Sequence, residues 1–375
     1  IDAFVPVFGE QVDPGDMRAH IEAILAGMRR DGRLPVCGRD IQPVFREYIV
    51  PNEASSRSVC TGFIDEDQVF AVVALFSFGA QDCVAIEKKT PLFDLFASEE
   101  NLARTPYLFG MSAPPEVAWR SVAHWLVETG VVKGKKIGVY HSTESDVVPD
   151  NLIATLKKLG HPVDVVVTTD TPGGSTVADP NDGVAIQRFK AEGVTLAIPA
   201  DGGGNFYRQA ETQDYHPQWA VQGVAQASDA TTGNYPPDIF DGALALLFEH
   251  VGEEKAGIPM SAEEQVCYRY WEEASGERPG EQWKRDWGKG QTIRESCDQI
   301  NLFTLALARV GNNPLTRDTF VLGVETIRDV PLAYYGDAVV TPDKHYMTSK
   351  NVQQRYFKKC ACWHSSNKWV PLYAQ

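Results

Sequence analysis

The grouping in the sequence with the most evident chemistry lies near the C-terminus, where Cys360, Cys362 and His364 alternate with other residues. Thiolates and imidazoles are the ligands that Zn²⁺ prefers, and a structural zinc site needs four of them. The sequence offers no fourth ligand at a regular spacing. A C-x-C pair on a strand is equally compatible with a structural role, so we predict no metal site.

A glycine-rich segment, Asp201-Gly202-Gly203-Gly204, lies between a predicted strand and a predicted helix. Backbone amides at such a position can bind a phosphate or a carboxylate. The segment lacks the Lys-Ser/Thr ending of a nucleotide P-loop and the spacing of a dinucleotide fingerprint. We therefore expect no nucleotide cofactor, and a tight turn that either only reverses the chain or also lines a ligand pocket.

No set of residues resembles catalytic machinery. Ser77 lacks the G-x-S-x-G surroundings of an activated nucleophile, and the sequence gives no cue for a base beside it. His141, at the end of a predicted strand, is typical of a hydrogen-bonding residue. We predict that the protein is not an enzyme.

The segment 68–98 is the one around which the chain is organised. Residues 69–75 are all apolar and are followed by a small-residue turn and a predicted helix from Gln81, which indicates a parallel strand buried on both faces. A second strand is predicted at residues 90–93. Ligands bind beyond the carboxyl ends of such strands, so the loops that follow would form half of a binding wall.

The rest of the chain alternates predicted helices and strands, which is typical of α/β proteins with parallel sheets. Two successive series of similar size predict two lobes, joined near residues 111–115. The tail from Gly336 resembles a hairpin. Helices are predicted at 17–28, 55–63, 116–129, 151–159, 262–275 and 293–308, and strands at 41–50, 107–110, 136–140, 163–167, 195–198 and 219–222.

Charge and composition exclude several classes of protein. The formal net charge is −15, which argues against a nucleic-acid partner. No apolar run approaches the ~20 residues that span a bilayer, and the N-terminal residues lack the order of a signal peptide. We expect a soluble mature chain whose export signal or membrane anchor, if any, lies upstream of Ile1.

Seven cysteines are more than a protein of a reducing compartment needs. Cys60 and Cys83 flank the predicted central strand, and Cys267 and Cys297 lie near two later helices. We predict one disulfide within each pair, with buried free thiols as the alternative. Spacing alone assigns no partner to the other three cysteines.

Segments in order along the chain resemble the type I solute-binding proteins of ABC transporters, the group that includes the leucine/isoleucine/valine-binding proteins. The segments that carry the resemblance are 65–73, 89–93, 134–140, 206–210, 215–219 and 301–312.

The resemblance implies the periplasmic binding protein type I fold, an α/β architecture of two Rossmann-like lobes joined by a hinge of three crossovers. Lobe 1 would comprise residues 1–114 and 246–328, and lobe 2 residues 115–245 and 329–375. A small molecule would be trapped by hinge closure, because only the closed form offers the contacts of both lobes.

The resemblance also places ligand-binding residues on both lobes. On lobe 1 they are Ser77, Phe78, Gly79, Phe96, Ala97 and Ser98; on lobe 2 they are Ser145, Asp146, Asp201, Gly202, Gly203 and Gln226. Phe78 and Phe96 stand where amino-acid-binding members usually have hydroxyls, and glycines replace a tyrosine. We therefore expect a partly apolar or aromatic ligand, with a branched-chain amino acid as the alternative.

The same resemblance implies an extracytoplasmic protein, in the periplasm or as a cell-surface lipoprotein, that works as a monomer with an ABC permease. Two alternatives remain. A sensor domain of the same fold would be revealed by a downstream transmembrane helix, and a two-lobed α/β enzyme by turnover of the ligand.

Overall fold

A computed structural model describes residues 14–47, 53–74, 80–95, 97–143, 146–170, 181–200, 204–277 and 289–373. Helices and strands alternate along most of the chain. The helices are α1 (Pro14–Arg30), α2 (Glu53–Thr61), α3 (Glu99–Arg104), α4 (Pro115–Glu128), α5 (Ala154–Lys158), α6 (Asn181–Ala191), α7 (Gly204–Thr212), α8 (Asp229–Thr232), α9 (Ala262–Ser275), α10 (Lys289–Val310) and α11 (Arg317–Val324). The strands are β1 (Val72–Ala74), β2 (Leu92–Asp94), β3 (Leu108–Gly110), β4 (Ile137–Ser142), β5 (Val165–Thr169), β6 (Leu196–Pro199), β7 (Gln218–Gln222), β8 (Leu244–Leu247), β9 (Lys350–Phe357) and β10 (Cys362–Pro371).

Three π-helical segments and one 3₁₀ turn complete these elements. The π-helical segments are Gly62–Glu66, Asp82–Glu87 and Val148–Ile153, and the 3₁₀ turn is Pro237–Phe240.

The chain forms two compact units. Among the described residues, unit 1 comprises 14–114 and 260–349, and unit 2 comprises 115–259 and 350–373. The described chain therefore changes unit three times, after residues 114, 259 and 349.

The second and third of these boundaries lie later in the chain than the predicted lobe limits at 245/246 and 328/329. β8 pairs with β7 on one side and with β9 on the other, so residues 244–247 belong to the sheet of unit 2. Tyr346 forms a parallel bridge with Gly110, which ties the segment before residue 350 to unit 1.

In unit 1 the described strands form a parallel sheet in the order β1-β2-β3. The helices α1, α9 and α10 pack together in a separate apolar cluster of this unit. Ile21, Ile24, Leu25 and Met28 of α1 recur at helical spacing and are all buried there, as their spacing predicts.

Capping and a buried ion pair fix α9 within unit 1. Ser261 and Glu264 form a reciprocal capping box at its N-terminus. Glu264 also accepts a hydrogen bond from the guanidinium of Arg294 on α10 at 3.0 Å, and both side chains are almost fully buried. The same carboxylate group therefore starts one helix and ties it to the next.

Unit 2 contains a seven-stranded sheet in the order β10-β9-β8-β7-β6-β4-β5. The strands β4 to β8 are parallel, and β9 and β10 form the antiparallel hairpin expected of the C-terminal tail. Successive residues of a strand face opposite sides. Val139 accordingly packs with Trp125 and Leu152, whereas Tyr140 stacks on Phe206 at 4.5 Å.

Both predicted disulfides are confirmed. Cys60 and Cys83 join α2 to the π-helical segment after β1, and Cys267 and Cys297 join α9 to α10. A third disulfide, between Cys360 and Cys362, was not predicted. Cys37 is exposed and has no disulfide partner.

One expectation of strand structure is not met in the described residues. The segment 41–50 is predicted as a strand, but residues 41–46 form none, and residues 48–50 lie outside the described part. Pro43 lacks the amide hydrogen that a ladder requires.

Candidate ligand-binding site

The three parallel strands of unit 1 end together. Ala74, Asp94 and Gly110 are paired in register at the carboxyl ends of β1, β2 and β3. The segments that follow these strands therefore meet at one edge of the sheet, where ligands of open α/β sheets bind. The predicted residues Ser77, Phe78, Gly79 and Phe96 belong to these segments but lie outside the described residues.

Ala97 and Ser98 are the described members of the predicted site in unit 1. Ala97 is buried, and Ser98 is half-buried at the start of α3. The Ser98 hydroxyl accepts a hydrogen bond from the backbone amide of Asn101 at 3.1 Å and so caps the helix. Capping uses the oxygen as an acceptor, so the hydroxyl hydrogen remains a possible donor to a ligand.

A polar network behind Ser98 was missed by the sequence interpretation. Asp94 is fully buried at the end of β2, and its carboxylate accepts a hydrogen bond from the side-chain amide of Gln81 at 2.7 Å. The Gln81 carbonyl in turn accepts from the side chain of Asn101 at 2.8 Å. The network links the segment after β1 to α3. In the sequence, Asp94 could have been recognised as a candidate because it follows the predicted strand 90–93.

In unit 2 the carboxyl ends of β4, β6, β7 and β8 also lie along one edge, because these strands are parallel neighbours. The predicted Asp146 follows β4 and is exposed, and its backbone carbonyl accepts from the amide of Asp150. The glycine-rich segment precedes α7, which begins at Gly204. Ser145, Asp201, Gly202 and Gly203 lie outside the described residues.

Gln226 is placed at this edge by two hydrogen bonds. Its side-chain amide donates to the carbonyl oxygens of Pro199 and Ala200, at 2.9 and 3.2 Å, just beyond the end of β6. Its own carbonyl oxygen is buried and has no hydrogen-bond partner among the described residues. A buried acceptor without a partner is costly, and a ligand donor would remove that cost.

Glu249 is a second functional candidate that the sequence interpretation missed. It lies two residues after β8, is buried, and accepts a hydrogen bond from the amide of Phe248 at 2.9 Å. Burial raises the pKa of this carboxyl to about 7, against the opposing effects of the backbone amides and of His250. Its signal in the sequence was an acidic residue directly after the apolar run 242–248.

Two cavities lie within unit 1. One, of about 370 Å³, is lined mainly by apolar side chains of α1, β1 and α10, alongside the strand. The other, of about 480 Å³, extends along α3 and is lined by Glu99, residues 102–106, Glu325 and residues 342–346. Neither coincides with the predicted ligand residues.

No helix among the described residues is long and apolar enough to cross a membrane.

Comparison with known proteins identifies a family. A family model described as periplasmic binding protein matches residues 16–257. A search of curated proteins found no match.

Solved structures share the fold over nearly the whole chain. A leucine binding protein from Thermotoga maritima has a TM-score of 0.71 and 13% identity, covering 98% of this chain and 97% of that one. A branched chain amino acid ABC transporter protein from Thermus thermophilus, with bound valine, has a TM-score of 0.72 and 13% identity, covering 96% and 92%. A solute binding protein from Rhodopseudomonas palustris BisB5, in complex with 3,4-dihydroxybenzoic acid, has a TM-score of 0.66 and 15% identity, covering 91% and 88%.

Proposed function

Because the chain belongs to the periplasmic binding protein family, we propose that it captures a small molecule outside the cytoplasm and delivers it to an ABC permease. The family consists of solute-binding proteins rather than enzymes and has an extracytoplasmic location. A monomer in the periplasm, or held at the cell surface by a lipid anchor, is the form we propose for this chain.

The observation that carries the proposal is the side chain of Gln226. It is fixed at the carboxyl edge of unit 2, and it offers a buried carbonyl oxygen that lacks a partner among the described residues. In unit 1 the hydroxyl of Ser98 lies at the corresponding edge. Each unit thus offers a polar group where ligands of parallel α/β sheets bind.

For the ligand we propose a partly apolar or aromatic compound. Phe78 and Phe96 are the predicted aromatic contacts, and aromatic faces bind rings well. A zwitterionic amino acid needs a fixed negative charge for its ammonium group. Burial raises the pKa of Glu249 to about 7, so an ammonium that pairs with this carboxyl would have to offset the cost of burying its charge.

A thermal-shift panel tests the ligand class. We expect benzoate, 3,4-dihydroxybenzoate or a related ring compound to raise the melting temperature, and leucine, isoleucine and valine to leave it unchanged. At ~100 times its dissociation constant, a specific ligand stabilises the folded state by roughly 2.7 kcal/mol. A shift with a branched-chain amino acid, and with none of the aromatic compounds, would show that the ligand class is wrong.

Two glutamine variants test the site itself. Gln226→Ala removes the unpartnered acceptor and should lower ligand affinity about 3- to 10-fold, the value of one hydrogen bond. Gln213→Ala is the matched control, because that side chain also donates to a backbone carbonyl, that of Gly183, but lies at the end of α7. Equal effects of both variants on affinity would contradict the assignment of Gln226.

Turnover distinguishes a binding protein from an enzyme. The bound compound should be recovered unchanged by mass spectrometry after long incubation with the protein. Conversion of the compound would favour the alternative of a two-lobed enzyme.

A further inference from the structure

The turn of the C-terminal hairpin contains a disulfide of an unusual kind. β9 and β10 are joined by residues 358–361, and Cys360 in this turn is bonded to Cys362, the first residue of β10. Ala361 between them has a φ of 50°, in the left-handed region that residues other than glycine rarely adopt. The bond also consumes the two thiolates that a zinc site would need.

The two sulfurs differ in their access to solvent. Cys360 is exposed, whereas Cys362 is 1% exposed and lies on the buried side of β10. An external thiolate can therefore reach one sulfur, and the other is the natural leaving group. Such a pair, one cysteine open and the other covered, directs attack to a single sulfur.

An imidazole lies beside the bond. His364 Nε2 is 3.6 Å from Cys360 Sγ, and the ligand atoms of Cys360, Cys362 and His364 all lie within 4.8 Å of one another. The ring of Phe357 contacts the imidazole, with centroids 4.8 Å apart. The imidazole of His364 therefore lies within 4.8 Å of the departing Cys362 sulfur as well, a distance that one bridging water spans.

Basic residues surround the same turn. Arg355, Lys358 and Lys359 are exposed, and Lys358 pairs with Asp238 and Asp241 at 3.2 and 3.5 Å. Positive charge near a cysteine favours its thiolate. Asp238 and Asp241 offset part of this charge, so the three cations and two carboxylates leave the turn with a small positive excess.

The bond contributes little to holding the fold. The two strands of the hairpin are already held by antiparallel pairing. The pairs run from Cys362 with Phe357 to Pro371 with Lys350. The other two disulfides close loops of 23 and 30 residues between separate elements, and their cysteines are buried. The stabilisation of the folded state by a disulfide grows with the number of residues in the loop that it closes. A bond between residues two positions apart should therefore stabilise the fold the least of the three.

We propose that the Cys360–Cys362 disulfide is a thiol–disulfide exchange site that accepts electrons from small thiols in the compartment of the protein. A thiolate attacks Cys360 Sγ and forms a mixed disulfide. The bond to Cys362 breaks, its electron pair stays on Cys362 Sγ, and that sulfur takes a proton from the protonated imidazole of His364, which regains one from water. A second thiolate then attacks the sulfur of the small thiol in the mixed disulfide, and Cys360 leaves as a thiolate and takes a proton from water. In total, two thiols become one disulfide, and the hairpin gains two electrons and two protons.

Selective reduction tests the proposal. In a Cys37→Ser background, which removes the exposed free thiol, the native protein is treated with limiting dithiothreitol, quenched with N-ethylmaleimide and mapped by mass spectrometry. We expect Cys360 and Cys362 to be labelled at least 10-fold faster than the other four cysteines. Similar rates for all three disulfides, or a slower hairpin, would overturn the proposal.

Single variants test the roles of the sulfurs and of His364. With glutathione disulfide, Cys362→Ser should form a mixed disulfide on Cys360 at least 10-fold faster than Cys360→Ser forms one on Cys362. His364→Gln should slow reduction of the wild-type pair several-fold at an unchanged melting temperature. Equal rates for the two serine variants contradict the assigned point of attack, and an unchanged rate in His364→Gln contradicts proton donation by the imidazole.

The double variant Cys360→Ser/Cys362→Ser separates this proposal from a structural role. The strand pairing should keep its melting temperature within a few degrees of that of the parent. A loss as large as that caused by removing Cys267 and Cys297 would show that the bond is a structural staple and would overturn the proposal.

Discussion

Among single residues, Glu249 should make the stability of the protein depend on pH. Its folded-state pKa, about 7, lies above the ordinary value of 4.5, so between these values the folded state keeps a proton that the unfolded state releases. Stability should therefore fall as the pH rises through this window. Glu249→Gln keeps an acceptor for the Phe248 amide and cannot ionise. We expect the variant to gain about 2 to 3 kcal/mol over the parent between pH 5 and pH 8.

Urea unfolding at the two pH values measures this difference. Glu211→Gln, at an exposed position on α7, is the matched control and should follow the parent. A pH dependence of Glu249→Gln identical to that of the parent would contradict the burial of an ionisable carboxyl.

Lys344 in unit 1 should make the stability of the protein rise with pH, opposite to the effect of Glu249. It donates hydrogen bonds to the carbonyls of Val339 and Tyr346, and burial, followed by repulsion from Arg328, lowers its pKa to about 7. Above pH 7 the unfolded state holds a proton that the folded state has released, so stability should rise with pH. The rise between pH 7 and pH 9 should be about 2 kcal/mol and should be absent in Lys344→Met.

The control for this measurement is Lys89→Met, since Lys89 is exposed in the same unit. If stability rises between pH 7 and pH 9 by the same amount in Lys344→Met and in the control, the pH dependence must come from groups other than Lys344.

Glu249 and Lys344 also show that a sequence does not reveal which charged residues are buried. Ser98 and Gln226 were predicted from resemblance to a family, and the structure places both at carboxyl edges of sheets. Glu249 and Lys344 look like ordinary charged residues, because burial depends on elements distant in the sequence. The bond between Cys360 and Cys362 was missed for a related reason, since spacing alone does not show that a turn brings two sulfurs together.

Between elements, the contact of α1 with α9 is tight enough to require a glycine. A Cβ atom built on Gly27 would clash with the ring of Tyr270. Gly27→Ala should therefore separate the two helices and cost about 1 to 3 kcal/mol, as overpacking does. Ala26→Leu adds more atoms one position earlier, on the exposed face, and should change stability by less than about 0.5 kcal/mol.

Chemical denaturation of both variants checks this prediction. An alanine at position 27 that is tolerated as well as the leucine at position 26 would show that the two helices have room to adjust.

The positions of helices and strands were the feature of the fold that the sequence predicted best. The helix predicted at 262–275 has those bounds in the structure, and the predicted strands, except 41–50, have bounds within about three residues of those observed. Periodicity reports which face of a segment is buried, and that is enough to distinguish helix from strand. It does not report π-helical turns such as Asp82–Glu87, nor α11, which was not predicted. The limits of the two units also depended on long-range strand pairing, which no local pattern records.

At the scale of the whole molecule, the proposed function requires that ligand binding be linked to a conformational equilibrium. A ligand shifts such an equilibrium only by the difference in its affinity for the two forms. If each unit supplies part of the contacts, a compound that raises the melting temperature should also favour a closed form and reduce the radius of gyration. We expect a smaller radius in small-angle X-ray scattering with the most stabilising compound of the panel, and no change with valine.

Bound material carried through purification would hide this effect, so the comparison must begin with protein that has been unfolded in guanidinium, dialysed and refolded with its disulfides intact. Native mass spectrometry then verifies that nothing is bound. The variant Gln226→Ala should need a proportionally higher ligand concentration to reach the same contraction, whereas Gln213→Ala should match the parent. Stabilisation by a ligand without any contraction in this material would mean that the compound binds within one unit, and hinge closure would have to be abandoned as the mechanism.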